Sequence, residues 1–229
     1  SICKDALSNG KHVFVEKPLA NSLAEIEELY EIAKKNNKLL YTAYNRRHDP
    51  KWLQLKQSLE SPILFANVIC RDYPYPPAAY LETCGGIIKD AAVHDLDMMC
   101  VLTNDVPVQV EAVLDERKEN SSINLKFSNG MIARLIHSRH SNYYDQRVML
   151  FCEKNMVELS STPNVIDTFK SRYAESYVNQ IKDFNDRLLS KNYNPNISLE
   201  HAKILEKLVE ACNESAKKEE AVALKSLRE

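Results

Sequence analysis

The stretch His12-Val13-Phe14-Val15-Glu16-Lys17-Pro18 decides how the front of this chain is read. Its three consecutive apolar residues form the short unbroken run expected of a strand buried on both faces of a parallel sheet. Residues 2–8 before it read as the tail of a helix stopping at Asn9-Gly10, with the glycine placed to cap it. After it, Ser22-Leu23-Ala24-Glu25 has capping-box spacing, and Leu23, Ile26, Leu29, Tyr30 and Ala33 follow at helical intervals. Leu39 to Tyr44 is a second strand. The first 45 residues thus alternate helix, strand, helix, strand, the repeating unit of a doubly wound parallel sheet. This is too little to form such a sheet alone. Residues 1–45 are therefore expected to be the C-terminal portion of a larger nucleotide-binding α/β domain. Glu16-Lys17-Pro18 then stands beyond a strand's carboxyl end, where open α/β sheets bind ligands.

Composition bounds the rest. The chain has 229 residues, 44% hydrophobic and 27% charged, which is globular material. Thirty basic against 32 acidic residues leave a formal charge of −2, so no overall basic field draws the chain to nucleic acid or anionic membrane. No run of about 18 apolar residues is present to span a bilayer, and Ser1-Ile2-Cys3-Lys4-Asp5 has no signal-peptide pattern. The six cysteines form no C-x-x-C pair, which points to reduced thiols in a cytoplasmic protein and to no structural zinc. There are four glycines and no Gly-x-Gly-x-x-Gly.

Residues 46–229 read differently. Asp49-Pro50 starts a short helix, and residues 63–71 read as a strand. The stretch 72–83, with Pro74, Pro76 and Pro77, reads as an ordered loop. Gly85-Gly86 opens a helix to about Leu102. Strands are expected at 108–114, 123–127, 131–139, 147–152 and 156–159, with Ser128-Asn129-Gly130 as a hairpin turn. Helices return at 172–190 and 198–217, and a charged tail, 217–229, is expected to fray. The architecture this implies is an open-faced, mostly antiparallel sheet with helices on one side.

Two clusters carry chemistry. Lys17, held by Pro18 at a position suited to a cis peptide, points into the cleft or is a surface lysine at a strand end. Asp90 and His94 are four apart on one helix, hence on one face, where a carboxylate would raise the imidazole pKa and orient a general base. A core histidine satisfied by a helix carboxylate would look the same. Asp97 could join the pair or be solvated, and Asp95 points elsewhere as a structural residue. His94-Asp95 also matches the doublet of metal-dependent phosphohydrolases, but the remaining histidines lack the helical frame that reading needs, so no metal is expected. Arg46-Arg47 could bind an anion or close the sheet, Arg139 could face a polyol or pair with a carboxylate, and Tyr144 is as suited to packing as to contact.

Together these segments carry a resemblance. Gly10 to Ala20, Tyr44 to Pro50, and Gly85-Gly86-Ile87-Ile88-Lys89-Asp90-Ala91-Ala92-Val93-His94-Asp95-Leu96-Asp97 resemble the signature segments of the glucose–fructose oxidoreductase/inositol dehydrogenase/rhizopine catabolism family. Within it the chain is most similar to inositol 2-dehydrogenases, on Arg71-Asp72-Tyr73, Pro76-Pro77, Ser138-Arg139, Tyr144-Asp145-Gln146-Arg147 and Arg172 to Tyr177. The resemblance implies a Rossmann domain binding NAD, followed by a substrate domain whose sheet builds homodimers or homotetramers. It implies oxidation of one ring hydroxyl of myo-inositol to a ketone. His94 would then be the general base, Lys17 would stabilise the reacting oxygen, and Asp90 would hold Lys17 or His94. Asp72, Arg139 and Tyr144 would contact the polyol, and Glu16, Lys17, Pro18 and Arg47 would border the cofactor.

The chain departs from the family pattern where it lacks the glycine-rich phosphate loop and ribose-binding acid, so NADP stays open beside NAD. It also carries Asn142-Tyr143 where relatives carry Tyr-Gly, and Cys152 where a glycine is usual. The expectation is an N-terminally truncated dehydrogenase. The alternatives are a dehydrogenase of another polyol or sugar and a non-catalytic assembly protein that has lost the phosphate-binding loop.

Overall fold

The structure is a computed structural model that describes residues 1–160 and 168–224. Helix α1 (Ile2–Ser8) leads into β1 (Val13–Glu16), α2 (Leu23–Lys35) and β2 (Leu40–Ala43). The Ser22 side chain accepts from the Glu25 N–H, which starts α2 where the capping pattern placed it. Strands β1 and β2 pair in parallel, Val13 opposite Leu40 and Glu16 opposite Ala43. Leu7, Val13, Ile26, Leu29, Ala33 and Leu40 pack into one buried cluster between them and the two helices.

A 3₁₀ turn (Asn45–His48) and α3 (Pro50–Gln57) lead into the larger unit. Its strands are β3 (Ile63–Arg71), β4 (Pro107–Leu114), β5 (Asn120–Phe127), β6 (Ile132–Ser138), β7 (Asp145–Cys152), β8 (Met156–Ser160) and β9 (Val222–Ala223). Among the described residues they form one sheet in the order β8-β7-β3-β6-β5-β4-β9. Every pairing in it is antiparallel except β3 with β6. Alternation along the strands puts Val68, Val110, Ile123, Leu125, Leu135, Val148 and Leu150 on one buried face. The helices α5 (Val93–Thr103) and α8 (Leu199–Lys218) cover that face with Leu96, Met99, Leu205, Leu208 and Cys212. The opposite face is open, and Phe65, Val113, Ile132, Phe151 and Met156 stand exposed on it.

Four expectations change. The proline-rich stretch contains a short helix, α4 (Ala78–Leu81), because Pro77 caps a turn that the following alanines favour. The helix after Gly85-Gly86 begins as a π turn, Ile88–Ala92, in which the Val93 N–H reaches back five residues to the Ile88 carbonyl. The C-terminal tail does not simply fray: Val222 and Ala223 pair with Val110 and Gln109 at the sheet edge. Residues 225–229 of that tail lie outside the described residues. The expected helix at 172–190 is divided into α6 (Phe169–Arg172) and α7 (Ala174–Leu189), with Tyr173 between them.

Candidate active site

A cavity of about 610 Å³ opens where the carboxyl ends of β1 and β2 meet the larger sheet. This size lies within the roughly 300–1,000 Å³ of small-molecule sites. Four separate segments supply its polar wall. Glu16 and Lys17 come from the end of β1, Asp72 from the loop after β3, Asp90 and His94 from the π turn and α5, and Arg139 from the end of β6.

Lys17 precedes a cis peptide to Pro18. Its Nζ donates to Asp90 Oδ1 at 3.0 Å and also to the Asp90 carbonyl. Arg139, 1% exposed at its side chain, donates to Asp90 Oδ2 at 2.9 Å, and Tyr80 donates its phenol hydrogen to Oδ1 at 2.7 Å. Burial works to raise the Asp90 pKa, but Lys17, Tyr80 and Arg139 outweigh it and hold the carboxyl below its ordinary value. Asp72 is the opposite case. Burial pushes its pKa up against the pull of Arg139, whose Nη1 is 3.9 Å away.

His94 corrects an expectation. Asp90 and His94 both line the cavity, but Asp90 is engaged by Lys17, Tyr80 and Arg139, and no Asp90–His94 hydrogen bond forms. The π turn between them departs from the α-helical spacing on which the i, i+4 pairing was reasoned. The imidazole pKa is therefore not raised. Burial, then the positive Lys17 and Arg46 and the nearby His137, push it well below the ordinary value. His94 Nδ1 is buried with no hydrogen-bond partner among the described residues, and the ring packs edge-on against Tyr44. What faces the cavity is an imidazole that its surroundings hold unprotonated near neutrality.

The other expected residues divide. Glu16 borders the cavity mouth next to Lys17. Arg139 meets carboxylates, as one of its two readings had it. Tyr144 is a wall residue only 1% exposed, and its hydroxyl is taken up by Cys70 Sγ and Tyr173 OH, each at 3.3 Å. Arg47 is not in the cavity lining: it clasps Asp97 at 2.9 and 2.5 Å and meets His201 at 2.6 Å. Asp97 belongs to that clasp and not to the His94 cluster, and His201 Nε2 lies 2.7 Å from it. Asp95 is structural as expected, gripping Arg46 and lying 2.9 Å from His137 Nε2 at 0% exposure. Tyr143 stacks on Arg71.

Sequence reasoning passed over Tyr80 and Phe169, gave Arg46 little weight, and singled out the segment of Tyr173 and Tyr177 by resemblance without giving either a place in the site; the four aromatic residues form one wall of the cavity. Nothing in their spacing ties them to the site.

Two models of one oxidoreductase family match the chain. Its NAD-binding Rossmann fold covers residues 1–44, and the GFO/IDH/MocA C-terminal domain covers residues 61–158. Among relatives, the myo-inositol 2-dehydrogenase of Thermotoga maritima is 28% identical over 95% of this chain and 74% of its own length. The inositol 2-dehydrogenase of Rhizobium meliloti is 27% identical over 76% of this chain, and the match spans 62% of that protein. A crystal structure of a probable dehydrogenase from Thermotoga maritima superposes with a TM-score of 0.87 at 27% identity, covering 97% of this chain and 76% of that one.

Proposed function

The chain belongs to the GFO/IDH/MocA oxidoreductase family, and on that premise we propose that it is an NAD-dependent dehydrogenase oxidising a ring hydroxyl of an inositol to the ketone. The observation that carries this reading is the neutral, cavity-facing His94 beside the Lys17–Asp90 pair.

The residues present fit the reactive end of a nicotinamide dinucleotide. The cavity runs past the carboxyl end of β1, where Glu16, Lys17, Asn45 and Arg46 enter its wall. When bound, NAD supplies the hydride acceptor. His94 takes the hydroxyl proton as the carbonyl forms, which its depressed pKa allows near neutrality. Lys17 donates a hydrogen bond to the oxygen as its negative charge develops, and Asp90 with Arg139 fixes the direction of that donor. Asp72, whose carboxylate lies 3.9 Å from Arg139 Nη1 and borders the cavity, is placed to accept from further ring hydroxyls. Tyr80, Phe169, Tyr173 and Tyr177 offer apolar faces to the C–H side of the ring. Another ring polyol would meet the same groups, so substrate choice within the class is read by comparing kcat/KM for myo-inositol, scyllo-inositol and aldoses.

The test is NADH formation on mixing the chain with NAD and myo-inositol, beside calorimetry of NAD binding. Polyol-dependent NADH lost in both Lys17→Met and His94→Gln supports the reading. A folded chain that forms none with any ring polyol overturns it and leaves the assembly reading.

Self-association is part of the proposal. The open sheet face carries Phe65 against Phe151, ring centroids 5.8 Å apart, with Ile132, Met156 and Val113 also exposed. An exposed apolar face of this kind suits a second copy of the chain. Sedimentation should show a dimer or tetramer that Ile132→Lys with Phe151→Lys dissociates. A cytoplasmic location is supported by six unpaired cysteines, and no helix among the described residues is long and apolar enough to cross a membrane.

A further inference from the structure

The geometry points to Tyr80 as a positioning residue that acts on Lys17 through Asp90, an inference that rests on the dehydrogenase reading above. Tyr80 OH donates to Asp90 Oδ1 at 2.7 Å, and Lys17 Nζ donates to the same oxygen at 3.0 Å. Arg139 occupies Oδ2 at 2.9 Å. One carboxylate therefore divides its charge among three donors from three different segments. The two that share Oδ1 compete for it.

The phenol is not needed to hold its own loop. The Tyr80 carbonyl accepts from the Cys84 N–H at 2.9 Å and from Thr83 Oγ1 at 3.2 Å, and the Leu81 N–H reaches Pro77 O at 3.2 Å. Pro76 and Pro77 stiffen the approach. The ring is 46% exposed, so it contributes little to the core. What the hydroxyl adds is electrostatic. By drawing on Oδ1 it keeps Asp90 from engaging Lys17 in full, which leaves ammonium hydrogens for an oxygen in the cavity. Without it, the carboxylate's charge falls more heavily on Lys17, the ammonium is held more firmly, and the donor turns toward Asp90.

The test is Tyr80→Phe in the whole chain, with two readouts. The first is the rate of Lys17 acylation by acetic anhydride at one fixed pH, followed by mass spectrometry of the Lys17 peptide in wild type, Y80F, D90N and the double variant. The rate is expected to fall roughly threefold in Y80F, as the ammonium is held more firmly by Asp90, and not to respond to Y80F once Asp90 is Asn. The second is steady-state kinetics with NAD and myo-inositol: kcat is expected to fall roughly tenfold, with KM for the polyol within about twofold. A tyrosine that merely latches the loop would move the thermal midpoint and KM and leave the Lys17 acylation rate alone. That result overturns the inference, as does the same change of Lys17 rate in the D90N background or an unchanged kcat. If the Lys17 rate falls as expected while the wild type oxidises no polyol, it is the dehydrogenase reading that fails, and the coupling of Tyr80 to Lys17 stands.

Discussion

Lys17 Nζ lies 3.0 Å from Asp90 Oδ1, so the end of β1 and the π turn before α5, 73 residues apart in sequence, meet as a charge pair in one cavity wall. The side chains are 14% and 13% exposed, enough for the lysine to reach a ligand and too little for water to screen the pair fully. Replacing Lys17 by Met should lower kcat by about 10²–10³, the loss typical of removing one preorganised donor to a developing oxyanion. Asp90 keeps Tyr80 and Arg139 in that variant, so circular dichroism should show an unchanged fold.

His94 sets the acid limb of the rate. With its pKa well below the ordinary 6.5, the free enzyme should keep its base unprotonated down to pH values well under 6.5. The kcat/KM profile should therefore stay flat through pH 6.5 and fall only below it. His94→Gln should reduce kcat by about 10²–10⁴ and remove that limb. A profile breaking at 6.5 or above would refute the assignment.

The buried Arg46–Asp95 pair should be expensive to break from one side. Asp95 is 0% exposed and also meets His137, whose other ring nitrogen lies 3.2 Å from Ser121 Oγ. Asp95→Ala leaves the buried guanidinium uncompensated and should cost about 3–5 kcal/mol in urea unfolding. Leu96→Ala, one residue on and facing the core, should cost about 2–5 kcal/mol through its cavity alone.

Acid stability follows in part from three of the depressed carboxylates, those on the π turn and α5. Burial opposes the shift in each, but their cationic and hydrogen-bonding partners hold Asp90, Asp95 and Asp97 below the ordinary 3.8. A carboxyl lowered in the folded state stabilises it above the unfolded pKa and loses that contribution as pH falls through the folded value. Unfolding midpoints should thus hold from neutrality to about pH 4 as far as these groups are concerned, then fall steeply. Asp97→Asn should flatten part of that fall.

Gly85 and Gly86 adopt φ of +79° and +83° immediately before the π turn. A side chain at either position strains the backbone by about 1–2 kcal/mol. At Gly86 an added Cβ meets nothing within 4 Å, whereas at Gly85 it stands 3.0 Å from Lys89 Cδ, a flexible stem that can move aside. Thermal midpoints of Gly85→Ala and Gly86→Ala should both drop, and a substitution that left either unchanged would show that this turn does not require glycine.

Much of the fold was legible because its signals are local. The Ser22 cap, the apolar run after His12, the Asp49-Pro50 helix start and the Ser128-Asn129-Gly130 turn each act within a few residues, and each element lies where its pattern put it. The parallel pairing of β3 with β6 was not legible, since alternation along a strand marks its faces but not its neighbour. The strand at Val222–Ala223 escaped notice because two residues are too few for a period to show.

The site divides in the same way. Lys17 at a strand end and Asp90 and His94 on the segment after two glycines could be named from residue type and spacing. Which of them touch could not. The pairing of Asp90 with Lys17, Tyr80 and Arg139, the isolation of His94 Nδ1, and the diversion of Arg47 and Asp97 to His201 were decided by tertiary structure. The physical reason is that a charge pair's partner, and with it the pKa of each group, depends on which segments the folded sheet brings within a few ångströms. A widened turn also alters a helical spacing that the sequence alone leaves regular.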